Sequence, residues 1–459
     1  VTPPTFARTH LDRRSFLLHG AAAAGALALP LNALTEKTLA AGLREDAPGY
    51  GPLQPIADET TGLPLLLLPE GFRYFSFGWT GDPLEDGRAT PSAHDGMAAI
   101  RTYRGFTRIV RNHEIDGPGT PFAPTTTYDA KAGGGTTTLE FDTRTGKVVR
   151  SWGSLSGTVR NCAGGPTPWG SWLTCEETVV GPDNGYLKPH GYIFEVPAFG
   201  TASAEPLVSM GRLTHEAIAV DPTTGIVYET EDRGTSGLYR FIPNTNGRLA
   251  DGGRLQMLGI KDKPKFDTRK NQTRGAWQDC VWYDIADPDR AHAPNTSNSL
   301  GVFTQGFDQG AAVFARLEGA WYGNGLIYVN STSGGNAGAG QVWAYDPQED
   351  RLSLLFESPG TSVLDSPDNL CVSPRGGLVL CEDGSGLEYL HGLTPTGEIF
   401  RFCQNNVVLN GQRNGISGSF TGSEFAGAAY SPDGRWLFFN IQSPGISFAV
   451  TGPWERGAL

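Results

Sequence analysis

Apolar and polar positions alternate along most of this chain in a repeating unit. A polar residue opens it, an apolar strand follows, a Pro/Gly/Asp turn reverses the chain, and a second apolar strand ends on another polar residue. The unit is clearest at residues 216–231 (EAIAVDPTTGIVYETE), 318–330 (EGAWYGNGLIYVN), 369–382 (NLCVSPRGGLVLCE) and 424–440 (EFAGAAYSPDGRWLFFN). Residues 161–176 (NCAGGPTPWGSWLTCE) are a further copy, and residues 101–114 (RTYRGFTRIVRNHE) a weaker sixth. Each reads as a β-hairpin built on strand-favouring residues and turn chemistry. Further strand pairs, such as residues 137–148 and 341–347, lie between the hairpins, and no helical period persists over three turns. Six such units of about four strands predict an all-β, six-bladed β-propeller. Residues 58–77, with a proline-fenced apolar run at Leu65–Leu68, read as a lead-in.

The flanking polar residues change the picture from fold to chemistry. The innermost strands of a propeller line its axis, so matched polar ends on several blades converge there. Glu176, Glu177, Glu216, Glu231, Asp232, Glu318, Asp365, Asp368, Asn369, Glu382, Asp383 and Glu424 bring more negative charge than could gather without compensation. Calcium suits carboxylates and amides offered from separate loops. A thiolate such as Cys175 suits iron or zinc instead, so a mixed cluster is an option. His113 and His215 can ligate metal or orient ligands, and rank below the carboxylates. Arg316 lies two residues before Glu318, on the same face if the segment is extended, where its fork can hold phosphate or form an ion pair.

Composition narrows the classes. The 459 residues carry 62 Gly and 32 Pro, which suits a fold with many tight turns. Hydrophobic content of 39% is enough for a core, and a net charge of -12 makes nucleic acid an unsuitable partner. No Gly-x-Ser-x-Gly elbow, P-loop or zinc-type Cys-x-x-Cys pair is present. Asp12-Arg13-Arg14-Ser15-Phe16-Leu17-Leu18, followed by an apolar stretch from Ala21 to Leu31, resembles a twin-arginine export signal. The expected division is a signal peptide over residues 1–41 and one propeller domain over 42–459. That apolar stretch is short for a membrane span. Export implies an oxidising compartment, where the hairpins could carry Cys162–Cys175 and Cys371–Cys381 disulfides. A bond at Cys162–Cys175 conflicts with a thiolate ligand at Cys175.

At this level of detail the chain resembles the PhoX-type alkaline phosphatases. The matching pieces are the twin-arginine leader, Asn112-His113-Glu114, the string from Gly165 through Trp169-Gly170-Ser171-Trp172-Leu173-Thr174-Cys175-Glu176-Glu177, and His215-Glu216-Ala217. They continue with Tyr228 to Asp232, Arg316-Leu317-Glu318-Gly319, Ser366-Pro367-Asp368-Asn369-Leu370, and the tail through Ser443-Pro444-Gly445. The resemblance implies an exported, periplasmic or secreted phosphomonoesterase with an iron–calcium (Fe3+, Ca2+) cluster on the propeller axis. It makes Cys175 an iron ligand, Arg316 a phosphate binder, and Glu176, Glu231, Glu318, Asp368 and Glu424 metal ligands. Glu216 and Asn369 join this set from the hairpin pattern. Leu317 stands where the family pattern has proline, and the chain is compact for the family. The expected partners are a small phosphate ester and the twin-arginine export machinery, and the expected state is a monomer. Two other classes share the fold: a calcium-dependent lactonase or phosphotriesterase, and a non-catalytic propeller with structural calcium.

Overall fold

A computed structural model describes residues 47–459. The export motif and the expected cleavage region lie outside the described residues. No helix among them is long and apolar enough to cross a membrane.

The architecture is a closed ring of six blades. Their innermost strands are His94–Tyr103, Asn161–Pro166, His215–Val220, Leu317–Gly323, Pro367–Val372 and Phe425–Tyr430. Each inner strand packs against the next, and the sixth packs against the first. Blades 1 to 6 are numbered here from those strands. Within each blade the strands run antiparallel and outward in chain order. Blades 3 and 4 fuse at their outer edges, where Trp277–Asp284 pairs with Arg351–Glu357. The helix Gly301–Gln309 sits in the insertion that precedes blade 4.

The ring is closed by the stretch read as a lead-in. Arg73–Phe77 pairs antiparallel with Ile446–Thr451 and supplies the outer strand of blade 6. Leu66–Pro69 adds to the outer strand of blade 5, and Leu53–Ile56 adds to it in turn. An outer edge that would stand open is thereby paired with the chain's own N-terminal region.

One local irregularity repeats around the ring. Every inner strand carries a register shift near its start: between His94 and Met97, Asn161 and Gly164, His215 and Ile218, Leu317 and Ala320, Pro367 and Leu370, and Ala426 and Ala429. A bulge re-aims a side chain without ending the strand. In five of the six blades the re-aimed position is Asp95, Cys162, Glu216, Glu318 or Asp368, and each is followed by a small residue or Asn369. Tight packing explains the small residues. A Cβ on Gly96 would stand 2.6 Å from Ala163 Cα, one on Gly319 2.5 Å from the Asp368 carbonyl oxygen, and one on Gly427 2.6 Å from that of Asp95.

Candidate metal and phosphate site

Two rings of side chains meet on the axis at the mouth where these bulges lie. The first ring is the bulge set just named. The second follows the end of each blade's second strand and holds Glu114, Glu177, Asp232, Thr332, Asp383 and Gln442. A backbone rung fixes each one: its N–H donates to the carbonyl two residues before the bulge position, on Ala93, Arg160, Thr214, Arg316, Ser366 and Glu424 respectively. Polar residues from neighbouring blades clamp the bulges themselves. Asn112 donates to the Cys162 carbonyl at 3.0 Å, Thr230 to Glu318 at 2.6 Å, Asn330 to Asp368 at 2.6 Å, and Asn440 to Asp95. Asn330 and Asn440, which close two of the sequence hairpins, therefore hold the backbone of the mouth.

Three groups of ligand atoms within 4.8 Å of one another result: Cys162, Glu177 and Glu216; Asp95, Glu114 and Glu424; Asp368, Asp383 and Glu424. Glu318 stands close enough to Asp368 for their carboxyls to interact. Burial, reinforced by neighbouring carboxylates, pushes the carboxyls of Asp95, Glu177, Glu216, Glu318 and Glu424 far above their ordinary range. Asp368 is raised to about 6 by burial and then by Asp383. Burial also raises the Cys162 thiol, with Glu216 and Glu177 adding to the effect. Asp95 Oδ1 is buried without a hydrogen-bond donor. Buried oxygens lacking donors are costly, and cations would satisfy them. The donor set fits hard cations at the oxygen-only groups and a thiophilic metal at the group containing Cys162.

Two arginines supply positive charge at this mouth. Arg316 Nε and Nη2 hold the Asp232 carboxylate at 2.9 and 3.1 Å, and Nη2 also meets Glu318. Arg160 Nη2 lies 2.8 Å from Glu177 and 3.5 Å from Glu114. Met97, Trp172 and Trp321 line a small, mostly apolar cavity with Ala163, Ala217, Gly319 and Gly427.

Of the residues expected from the sequence, Glu216, Glu318, Asp368 and Glu424 lie in this gathering, with Arg316 beside it. Asn369 lies on the axis too, but its amide is engaged: Nδ2 donates to Asp368 Oδ1 at 3.0 Å, and Oδ1 accepts from Gly427 at 2.8 Å. Cys175, Glu176 and Glu231 point elsewhere. Cys175 is buried in an apolar cluster with Leu173, Ile193 and Leu213. Glu176 accepts from the backbone of Val159, Gly191 and Tyr192 and contacts His190 Nδ1 at 2.6 Å. Glu231 accepts from Gly237 N–H and Tyr239 Oη, and burial lifts it to about 7. The reason is the two-residue period of a strand: the expectation is one residue out, and the neighbours Glu177 and Asp232 face the axis.

The thiol at the mouth is Cys162, which its bulge turns toward blade 3, with Sγ 3.4 Å from the His215 carbonyl. All six cysteines are free and buried, so neither expected disulfide forms. Cys371 stands opposite Val379, not Cys381. His113 bonds Ser92 and Thr137, and His215 bonds the Gly211 carbonyl, with burial lowering His215 to about 4. Both histidines are structural. Asp95 escaped the sequence reading because the first inner strand begins at His94 rather than near Arg101. The available signal was an acid or thiol followed by a small residue, as in Asp95-Gly96, Cys162-Ala163, Glu216-Ala217 and Glu318-Gly319.

Fold and site together describe a β-propeller with a carboxylate- and thiol-lined cluster at one mouth of its axis. The sequence model of alkaline phosphatase PhoX matches residues 49–445. The chain belongs to the PhoX alkaline phosphatase family and is a phosphomonoesterase. Among solved structures, Pseudomonas fluorescens PhoX in complex with vanadate, a transition-state analogue, is similar at 17% identity and TM-score 0.63. The match covers 89% of this chain and 99% of that one. A gluconolactonase from Xanthomonas campestris is similar at 12% identity and TM-score 0.43, over 84% and 89% of the two chains. No curated protein sequence matches the chain.

Proposed function

We propose that the chain hydrolyses phosphate monoesters at an iron–calcium centre held by the axial cluster. The observation that carries this reading is the convergence of three ligand groups on one mouth, only one of which contains a thiol. Cys162, with Glu177 and Glu216, would hold iron, since a thiolate is a poor calcium ligand. Asp95, Glu114 and Glu424, and Asp368, Asp383 and Glu424, would hold calcium, with Glu318 adding an oxygen. Bound there, the cations would neutralise phosphate oxygens and supply an activated oxygen nucleophile.

The chain's own residues do the rest. The interblade clamps from Asn112, Thr230, Asn330 and Asn440 hold the bulge carbonyls, so the ligands are fixed before substrate arrives. Arg316, whose Nε and Nη2 are held by Asp232, has Nη1 left to donate to the phosphoryl group. A calcium-only lactonase site needs no thiol on the axis. We further propose export by the twin-arginine route to the periplasm or beyond, with residues 42–459 acting as one catalytic domain.

The test is p-nitrophenyl phosphate hydrolysis across pH 7 to 11 with calcium and after EGTA, alongside metal analysis of two serine variants. Calcium-dependent turnover that rises toward alkaline pH is expected. Cys162→Ser should lose iron and turnover, while Cys175→Ser keeps its iron. Absence of turnover from folded, metal-loaded protein would overturn the phosphatase reading, and iron lost only from Cys175→Ser would overturn the assignment of the thiol.

A further inference from the structure

We propose that Arg160 is a second phosphate-binding arm of the axial site and that, together with Arg316, it selects terminal phosphoryl groups over phosphodiesters. The inference rests on the phosphatase reading and deepens it. Arg160 and Arg316 occupy the same position in blades 2 and 4. Each precedes its bulge residue, Cys162 or Glu318, by two. Each has a left-handed backbone, with φ of 49° and 48°. Each accepts the same rung through its carbonyl, from Glu177 N–H at 2.9 Å and from Thr332 N–H at 2.8 Å. Their side chains are equally exposed, at 36% and 37%. The corresponding residues in the other blades are Ala93, Thr214, Ser366 and Glu424, so positive charge occurs at two of six equivalent places.

A left-handed backbone is strained for a non-glycine residue. The same backbone recurs at Ala93 and Ser366, so it belongs to the rung position, and at Arg160 and Arg316 that position carries a long cation. The Arg160 guanidinium lies between two of the three ligand groups, touching Glu177 of one and Glu114 of the other. Both contacts run through Nη2, and the hydrogen bond to Glu114 is the side chain's one hydrogen bond to protein among the described residues. Nε and Nη1 are left as donors for an anion at the mouth. Arg316 stands across blade 3, linked by Asp232, which pairs with it and meets Glu177. Two arginines on separate blades need separate acceptor oxygens. With one oxygen taken by the cations, a monoester dianion keeps two for the two arginines and a diester monoanion keeps one, so the second arginine favours the monoester.

The experiment uses iron- and calcium-loaded wild type, Arg160→Ala, Arg160→Lys and Arg316→Ala. Orthophosphate binding is measured by calorimetry, and kcat/KM with p-nitrophenyl phosphate and bis(p-nitrophenyl) phosphate. Arg160→Ala should bind orthophosphate about tenfold more weakly and lower the monoester-to-diester ratio about tenfold, mainly through KM. Arg160→Lys, which keeps the charge but not the fork, should recover part of the affinity. If Arg160→Ala matches wild type in both readouts while Arg316→Ala loses phosphate, the proposal falls and the phosphatase reading stands. If wild type neither binds orthophosphate nor cleaves either ester, the phosphatase reading itself has failed. Should Arg160→Ala lose its metals, Arg160→Lys decides: wild-type affinity and ratio in that variant would overturn the proposal.

Discussion

Blades 2, 3 and 5 each end their second strand with two adjacent acids, and the two members of each pair have opposite fates. Glu176, Glu231 and Glu382 face the blade interior, where backbone N–H groups and neighbouring side chains hold them. Glu382, for example, accepts from Asp365 and Tyr389 and sits 3.3 Å from His391. Beside Glu176, His190 is held protonated to higher pH: burial works against this, but the charges of Glu176 and Asp129 outweigh it. Glu177, Asp232 and Asp383 face the axis among other carboxylates, with two arginines as countercharge. A carboxylate saturated with donors is a structural brace, whereas one crowded among other carboxylates carries a cost that a bound cation would relieve. One peptide unit separates the two roles.

The largest contrast should come from removing one charge on each side. Glu318→Gln, on the axis, should cut p-nitrophenyl phosphate turnover at least about 100-fold and lower bound calcium. It also removes a like-charge clash, so the metal-free protein should melt no lower than wild type. A large drop in the melting temperature of that metal-free variant would break the comparison.

Glu176→Gln should do the reverse. Replacing one acceptor oxygen with an NH2 group leaves N–H donors near Val159 or Gly191 unmatched, at a cost of about 2 kcal/mol in urea unfolding. Calcium and iron content, and kcat in the folded fraction, should stay at wild-type levels. Selective metal loss without destabilisation would show that this acid is a ligand after all.

The smallest effect concerns pH. The axial carboxyls keep their protons to higher pH in the fold than in the unfolded chain, Asp368 to about 6 against 3.8. Their contribution to stability of the metal-free protein is therefore fully present below about pH 4. It is lost as pH rises through 6 and beyond, because the native cluster must then carry its charge. EGTA-treated protein should show a melting temperature that falls across this window, and added calcium should flatten the trend. A metal-free melting temperature that rises from pH 4 to 7 would contradict the shared origin of these shifts.

Hairpins with Asp-Pro-Thr-Thr-Gly or Ser-Pro-Asp-Gly turns are local signals, and the number of blades followed from them. The family motifs were equally readable, because strings such as Trp-Leu-Thr-Cys-Glu-Glu sit intact in one strand and its end. That string, however, does not say which of its residues looks at the axis. The bulges settle this, and a bulge is a property of two strands in register with a third blade pressing on them. Asp95 and Arg160 were illegible for the same reason: their roles appear only when the six inner strands are laid side by side.

The sequence by itself thus determined the all-β repeat, the acidic endowment and the family, since each is written in residue type and short-range order. Tertiary structure decided that Cys162 rather than Cys175 reaches the mouth, that Glu177 and Asp232 displace Glu176 and Glu231, and that residues 73–77 close the ring. These depend on which face of a strand meets the axis, and a single inserted residue reverses that face without altering composition or pattern.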